Sequence, residues 1–162
     1  MNNYYDEISE GYDELHKDEQ LKKIAVIKKE LQLKKTDKLL DIGCGPYYGD
    51  FDCDVTGIDP SKELLKHIKN PNIKKILGLA ESLPFKNNSF DYVISITAIH
   101  NFTDISKGLH EAKRVGKKKF VFSYLKRSGK AEEIQKLIEE LFVINKTIEE
   151  DKDIIIFCEK EN

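Results

Sequence analysis

Cysteine, arginine and long apolar runs are scarce in this sequence of 162 residues, and each shortage excludes a class of protein. The three cysteines, Cys44, Cys53 and Cys158, form no CxxC pair, which argues against a disulfide framework and a structural zinc site. Only two of the 27 basic residues are arginines, so widespread bidentate recognition of bases or carboxylates is disfavoured. No apolar run approaches the roughly 20 residues that cross a membrane, and the first residues lack a secretory-signal pattern. We therefore expect a cytoplasmic protein with no metal and no membrane partner.

Charged residues are plentiful, at 35% of the chain, yet apolar residues reach 40%, which suffices for the core of one domain spanning residues 1–162. The net charge of −2 hides a basic segment from Lys107 to Lys130, which holds nine Lys or Arg residues and a single acid, Glu111. Such a segment would attract a polyanion. A solvated, lysine-rich surface explains the same pattern, so the charge alone leaves an RNA partner open.

Short apolar segments alternate with stretches of helical spacing. Strands are predicted at residues 38–42, 55–58, 73–77, 90–96 and 120–124, with a closing hairpin at 142–147 and 154–158. Helices are predicted over 21–31, from 61 onward, over 105–115 and after 129 to 141. In the first helix, apolar spacing that begins at Leu21 and Ile24 marks the face expected to be buried. This alternation predicts an α/β three-layer sandwich, with a mostly parallel sheet and an antiparallel C-terminal hairpin.

Two strand ends carry residues suited to a nucleoside. The first predicted strand ends in Asp41-Ile42-Gly43-Cys44-Gly45, and Asp59 ends the second strand, sixteen residues after Gly43. Glycines let a ligand approach the backbone closely, and an acid at the end of the second strand can accept hydrogen bonds from ribose hydroxyls. A helix-capping turn with an incidental acid is the alternative. Nicotinamide dinucleotides are disfavoured, because Tyr48 stands where their fingerprint has its third glycine and Pro46 removes a backbone amide.

Four segments follow one another in a familiar order: LLDIGCGP, VTGIDPS, GLAESLPF and FDYVISITAIHNF. Together they resemble the successive motifs of class I S-adenosylmethionine-dependent methyltransferases, in particular the group called methyltransferase domain 11-like. The resemblance extends from about Tyr4 to the final strand. It implies S-adenosylmethionine as cofactor, methyl transfer as the activity, and a Rossmann-like sheet of seven strands whose last strand is antiparallel.

The resemblance also implies roles for individual residues. Residues of the glycine loop would face the methionine part of the cofactor: Asp41, Gly43, Cys44 and Gly45. Asp59 would hold the ribose hydroxyls, Pro60 would lie against the adenine, and Ala80 would offer its backbone amide to the adenine ring. Ile96 and Thr97 would border the methionine moiety and the transferred methyl, with ordinary strand-end packing as the alternative for each.

The sequence departs from the family pattern at several places, two of which adjoin the expected cofactor site. Leu79 occupies the position where many relatives have an acid that binds the adenine amino group, so either Glu81 or a backbone carbonyl would replace it. Val55 follows Gly45 by only ten residues, so the helix after the glycine loop must be very short or absent. These departures keep open a catalytically inactive cofactor-binding or scaffold protein.

His100, just beyond the fourth strand, is the candidate catalytic base, because the pKa of an imidazole lies near neutrality. A histidine that caps or packs the following helix is the alternative. Near the N-terminus, Tyr4, Tyr5 and Tyr12 would either close over the cofactor as an aromatic lid or pack an amphipathic helix on the sheet.

The methyl acceptor is less sharply indicated. Residues 95–102 are similar to the same segment of tRNA wobble-uridine carboxymethyl methyltransferases, which implies an RNA or a translation component as acceptor. Those relatives work with a small zinc-binding activator subunit that pairs along a sheet edge. In this interpretation Lys126, Arg127 and Lys130 would contact RNA phosphates. A small metabolite remains the alternative acceptor.

Overall fold

The computed structural model describes the backbone of residues 9–161 and the side chains of residues 17–161. The elements in chain order are α1 (Ser9–Glu30), β1 (Lys38–Ile42), β2 (Asp54–Asp59), α2 (Lys62–Lys66), β3 (Lys74–Leu77), β4 (Phe90–Ile96), a 3₁₀ turn (Ile99–Asn101), α3 (Ile105–Val115), β5 (Gly116–Leu125), α4 (Ala131–Leu141), β6 (Val143–Glu149) and β7 (Asp153–Glu159).

The seven strands form one sheet in the order β3-β2-β1-β4-β5-β7-β6. Strands β1 to β5 pair in parallel, and β7 runs antiparallel to both of its neighbours. The chain adds β2 and β3 on one side of β1 and then returns to add β4 on the other side. The carboxyl ends of β1 and β4 therefore meet where strand order reverses, which is where such sheets bind ligands. The predicted fold class is confirmed.

Helices cover both faces of the sheet. Leu109 of α3 and Ile134 and Ile138 of α4 are fully buried against one face. Ile24 and Ile27 of α1 are buried in the core on the other face. Successive strand residues feed opposite cores, since side chains alternate along a strand. This double burial explains why the central strands appear in the sequence as unbroken apolar runs.

Three local details bear on the sequence predictions. Residues 43–53 hold no helix, as the short spacing after the glycine loop predicts, and buried Tyr47 and Phe51 fill part of that space. Strand β5 begins at Gly116 rather than at residue 120, because exposed lysines at 117–119 hide its first half. In α1 the predicted face is partly wrong: Leu21 is 43% exposed, whereas Lys23 is 3% exposed.

No helix within residues 9–161 is long and apolar enough to cross a lipid bilayer.

Candidate functional site

A cleft opens at the carboxyl edge of the sheet, where β1, β2 and β4 end. Its larger chamber measures about 750 Å³ when counted out to its open mouth, and its smaller chamber about 350 Å³. Seven of the predicted site residues line the larger chamber: Gly43, Asp59, Pro60, Ala80, Glu81, Ile96 and Thr97. Asp41 and Cys44 line the smaller chamber, together with Gln20 and Ile24 of α1. Gly43 and Ile96 line both chambers, so the two chambers adjoin at these residues, and we call this junction the passage.

The loop after β1 takes its shape from backbone contacts that only glycine permits. Gly43 and Gly45 have φ angles of 73° and 53°, in the left-handed region that other residues rarely adopt. A Cβ at Gly43 would also lie 2.6 Å from the Cβ of Ala98, which is too close for any side chain. The N–H groups of Gly43 and Cys44 donate to the carbonyl of Ile58 on β2. The loop is thereby held flat against the next strand.

Asp59, at the end of β2, binds this loop with both carboxylate oxygens. Its Oδ2 accepts a hydrogen bond from the Gly45 N–H at 2.9 Å, and its Oδ1 accepts one from the Ser61 N–H at 2.8 Å. The side chain is 7% exposed. Each carboxylate oxygen can accept a second hydrogen bond, so Asp59 can hold the loop and a ligand hydroxyl at the same time.

Asp41 is buried as deeply as Asp59, with 5% of its surface exposed, but its environment is different. Among the groups that the structure describes, none donates a hydrogen bond to its carboxylate. Burial, and then the nearby charge of Asp59, raise the pKa of Asp41 well above its ordinary value. A buried carboxylate without a donor is costly, so this position suits a cation that arrives with a ligand.

Cys44 packs inside the protein and is no nucleophile. A Cβ at Gly57 of the neighbouring strand would lie 2.7 Å from the Cys44 Sγ, so the thiol occupies space that Gly57 leaves empty. Burial raises the pKa of Cys44 well above its ordinary value, which keeps the thiol protonated.

The lining of the larger chamber includes position 79, where many relatives have an acid and this sequence has a leucine. Leu79 is 48% exposed there, while Ala80 is buried. Glu81 is half-buried and lines the chamber, and its Oε2 accepts a hydrogen bond from the backbone N–H of Asp104 at 3.0 Å. The side chain of Asp104 caps the first turn of α3. Glu81 is therefore anchored to α3 beside the chamber.

Thr97 has an unusual backbone for a β-branched residue, with a φ angle of 51°. Its Oγ1 lies 2.6 Å from Lys23 Nζ, 2.7 Å from Asp153 Oδ2 and 3.1 Å from Ser123 Oγ. Lys23 Nζ also lies 3.2 Å from Asp153 Oδ2. All four side chains are buried. Lys23 belongs to α1, Ser123 to β5 and Asp153 to β7, and Thr97 follows the last residue of β4. We call Lys23, Thr97, Ser123 and Asp153 the buried polar cluster.

Only Thr97 of this cluster could be singled out from the sequence. Lys23 lies among the many lysines of α1, and Asp153 follows a run of polar residues that suggests a solvated turn. The one available signal is spacing: Lys23 and Ile27 lie four residues apart and share a helix face. The contact between Lys23 and Asp153 joins residues 130 positions apart, a pairing that local patterns do not reveal.

His100 lies in the 3₁₀ turn just behind Thr97 and lines neither chamber. Its Nδ1 is buried and has no hydrogen-bond partner in the described part of the chain. Burial, and then the charge of Lys130, lower the pKa of His100 below its ordinary value. The imidazole is therefore neutral near pH 7, as a general base must be.

The three basic residues predicted to contact RNA differ in their surroundings. Lys126 Nζ forms an ion pair with Glu149 at 3.0 Å, and Lys130 Nζ donates to the carbonyl of His100 at 3.0 Å. Arg127 is exposed. Tyr4 and Tyr5 lie outside the described residues, as does the side chain of Tyr12. No group of three or more His, Cys, Asp or Glu side chains between residues 17 and 161 is arranged to hold a metal ion.

Comparison with known proteins gives a consistent family. Residues 40–122 match the family model described as a methyltransferase domain. An uncharacterized protein of Methanocaldococcus jannaschii is 36% identical over 127 residues, covering 75% of this chain and 49% of that protein. The demethylmenaquinone methyltransferase of Chlorobaculum tepidum is 32% identical over 133 residues, covering 71% of this chain and 54% of that enzyme. The chain thus spans about half the length of the curated relatives it matches.

Solved structures share the fold at low sequence identity. A SAM-dependent methyltransferase of Thermotoga maritima superposes with a TM-score of 0.79 at 18% identity, covering 99% of this chain and 100% of that chain. A chain from the complex between the Haloferax volcanii Trm112 methyltransferase activator and a methyltransferase gives a TM-score of 0.78 at 14% identity, covering 100% of this chain and 98% of that chain.

Proposed function

The chain belongs to the class I S-adenosylmethionine-dependent methyltransferases, and from that premise we propose that it transfers a methyl group to a small-molecule acceptor that enters beside Thr97. One observation carries the methyl-transfer part of this proposal. Two buried carboxylates, Asp41 and Asp59, line the two chambers of one cleft on either side of Gly43. This spacing of polar groups suits a ligand with an ammonium at one end and a nucleoside at the other.

The residues present fit S-adenosylmethionine, the cofactor of the family. Asp41, which lacks a donor among the described groups, would hold the ammonium of the methionine part. Asp59 would accept hydrogen bonds from the ribose hydroxyls, since a carboxylate can accept about four hydrogen bonds in all. Pro60 and Ala80 line the part of the larger chamber that would hold the adenine, and Glu81 would accept from the adenine amino group. When bound, the cofactor supplies a methyl group already activated on a sulfonium.

Much of the work left to this chain is positioning. An acceptor atom must lie about 3–3.5 Å from the methyl and in line with the bond that breaks. In this proposal the reacting centre would lie where the two chambers adjoin, beside Gly43 and Ile96. His100 is half-buried and lines neither chamber, so it would take a proton from an acceptor through a bridging water rather than by direct contact.

The choice of a small acceptor is supported by the loop after β5. Lys126 and Lys130 are engaged with Glu149 and with the His100 carbonyl, and the exposed acids Glu132 and Glu133 follow. Lys126 is thus paired with an acid and would gain less from a phosphate contact, whereas Lys130 donates to an uncharged carbonyl and keeps its charge. The demethylmenaquinone methyltransferases, 32–35% identical to this chain over the matched segments, carry a small-molecule substrate in their name.

A transfer screen with isotopically labelled S-adenosylmethionine tests both parts. Bulk tRNA, rRNA, protein and small-metabolite extracts are offered in parallel, with an Asp59→Ala variant as the control for cofactor-dependent transfer. We expect label in the metabolite fraction only. Label in RNA would contradict the small-molecule acceptor and favour an RNA acceptor instead. Failure of the parent protein to bind S-adenosylhomocysteine would overturn the cofactor proposal itself.

A second candidate is methylation of RNA or a translation component together with a small activator subunit. Two observations favour it: the fold is shared over the full length with a chain from a Trm112 activator complex, and the outer edge of β3 is open. Leu77, at the end of β3, is 58% exposed, and Leu79 is 48% exposed. An activator that adds a strand to this edge would cover both leucines.

Gel filtration of the purified chain mixed with purified Trm112 activator tests this pairing. Co-elution that Leu77→Lys abolishes would support it. Val143→Lys places the same charge on the opposite sheet edge, where Val143 is 40% exposed, and should leave co-elution unchanged. Separate elution of the two parent proteins, or equal loss with both variants, would contradict pairing at β3.

A further inference from the structure

The buried polar cluster is not explained by stability. Lys23 and Asp153 are 3% and 4% exposed, and burying an ion pair costs more solvation than apolar residues of the same size would. Burial indeed lowers the pKa of Lys23 below its ordinary value, despite the opposing charge of Asp153. Helix α1 already packs on the sheet through Ile24 and Ile27. A methionine at position 23 would serve that packing as well.

What the cluster holds is the backbone of Thr97. A β-branched residue in the left-handed region is strained, and such strain persists only where the surroundings fix it. Here the Thr97 N–H donates to both the carbonyl and the hydroxyl of Ser123, at 3.1 and 2.9 Å. Its hydroxyl is held from two further sides by Lys23 and Asp153. Three elements, α1, β5 and β7, thus fix one turn at the end of β4.

That turn determines how closely β4 approaches the glycine loop. The residue after Thr97 is Ala98, whose Cβ would lie 2.6 Å from any Cβ placed at Gly43. Gly43 belongs to both chambers of the cleft, whereas Ala98 lines the larger one beside it. The left-handed turn therefore sets the width of the passage through which a ligand must pass to occupy both chambers.

We propose that Lys23 and Asp153 are positioning residues, which hold the Thr97–Ala98 turn against Gly43 and so shape the passage for a nucleoside joined to an amino acid. The inference rests on the proposed function, in that the cofactor spans both chambers. It goes further by assigning a role to two residues that touch neither chamber. It also separates two ligand classes: adenosine, which needs only the larger chamber, and S-adenosylhomocysteine, which threads the passage.

The test is a folded protein without the ion pair. Lys23→Met with Asp153→Asn removes both charges and keeps both side-chain sizes, so no unpaired charge stays buried. Calorimetry should show S-adenosylhomocysteine binding weakened about tenfold, while adenosine affinity, followed by NMR titration, changes by less than about twofold. Lys152→Gln is the matched control. It removes the exposed ion pair between Lys152 and Glu19, 2.7 Å apart, which joins α1 to the turn just before β7, and it should change neither affinity.

Thr97 variants provide a second test. Thr97→Val keeps the shape and removes the hydroxyl, and it should reproduce the selective loss of S-adenosylhomocysteine binding. Thr97→Ser should restore it. Adding Lys23→Met and Asp153→Asn to Thr97→Val should cause little further loss, since all three changes would act through the same turn.

The outcomes are distinguishable. If the parent protein binds no S-adenosylhomocysteine, the proposed function fails. If the parent binds it and the charge-free variant binds it equally well, the cluster does not shape the passage and the inference alone is overturned. An equal loss of adenosine and S-adenosylhomocysteine would also overturn it, because that result means general damage to the cleft.

Discussion

Two carboxylates at adjacent strand ends are equally buried and yet have opposite surroundings. Asp59 accepts hydrogen bonds from Gly45 and Ser61, so it is part of the folded loop before any ligand arrives. Asp41 has no donor among the described residues, and its pKa is raised by burial. The first carboxylate stabilises the protein and prepares half of the site. The second destabilises the protein until a cation reaches it, so the two can be told apart by measuring stability and binding together.

Asp59→Ala should have the largest effect, because it removes the ligand contact and the contacts to the loop at once. Two backbone N–H groups would lose a charged acceptor, which costs about 2–4 kcal/mol of unfolding free energy. We expect S-adenosylhomocysteine affinity to fall by about 100-fold or more. Urea unfolding and calorimetry measure the two losses. Unchanged affinity in a folded Asp59→Ala protein would refute the assignment of the ribose to this residue.

Asp41→Asn should separate binding from stability. The change removes a buried charge that has no partner within the described chain, so unfolding free energy should stay constant or rise by up to about 1 kcal/mol. Affinity for S-adenosylhomocysteine should fall about tenfold to thirtyfold, because the ligand ammonium loses its counter-charge. A loss of stability comparable to that of Asp59→Ala would mean that the contrast between the two carboxylates is wrong.

The pH dependence of binding should carry the signature of Asp41. Because the pKa of Asp41 in the free protein is raised, its carboxyl is protonated at moderately low pH and must lose that proton to pair with an ammonium. Affinity for S-adenosylhomocysteine should therefore rise with pH up to the raised pKa, by at most about tenfold per pH unit, and level off above it. The free protein should show the opposite trend in stability over the same window, since the folded state binds the extra proton. Asp41→Asn should flatten both profiles.

Glu81→Ala should have the smallest effect. Only the adenine contact is at stake, and we expect a loss of about threefold to tenfold in S-adenosylhomocysteine affinity. Glu81→Gln keeps an acceptor for the Asp104 N–H and serves as the control for damage to α3. Binding of the Glu81→Ala protein as tight as the parent's would mean that backbone groups alone hold the adenine.

The sequence predicts those cleft residues whose roles follow from their position at the end of a single strand. Gly43 and Asp59 follow apolar runs directly, and their residue types are tied to the backbone geometry and to a hydrogen-bonding role. The local spacing of apolar and polar residues does not predict contacts that depend on tertiary packing. The apolar spacing predicted for α1 begins at Leu21, which is exposed, and nothing in the sequence distinguishes Lys23 from the other lysines of that helix. Its partner, Asp153, lies on the last strand, so only the folded topology brings the two together.

The position of β7 has a consequence for biosynthesis. Strand β7 lies between β5 and β6, although it follows both in the chain. While a ribosome is still translating residues 153–159, the outer edge of β5 has no neighbour, and its N–H and C=O groups are open to other chains. Lys23 is synthesised 130 residues earlier and has no ion-pair partner at this position until Asp153 has been added. A nascent chain can therefore contain the complete glycine loop before Asp153 is available to hold the Thr97 turn. Stabilisation of the fold by bound cofactor is then expected only after β7 has been synthesised.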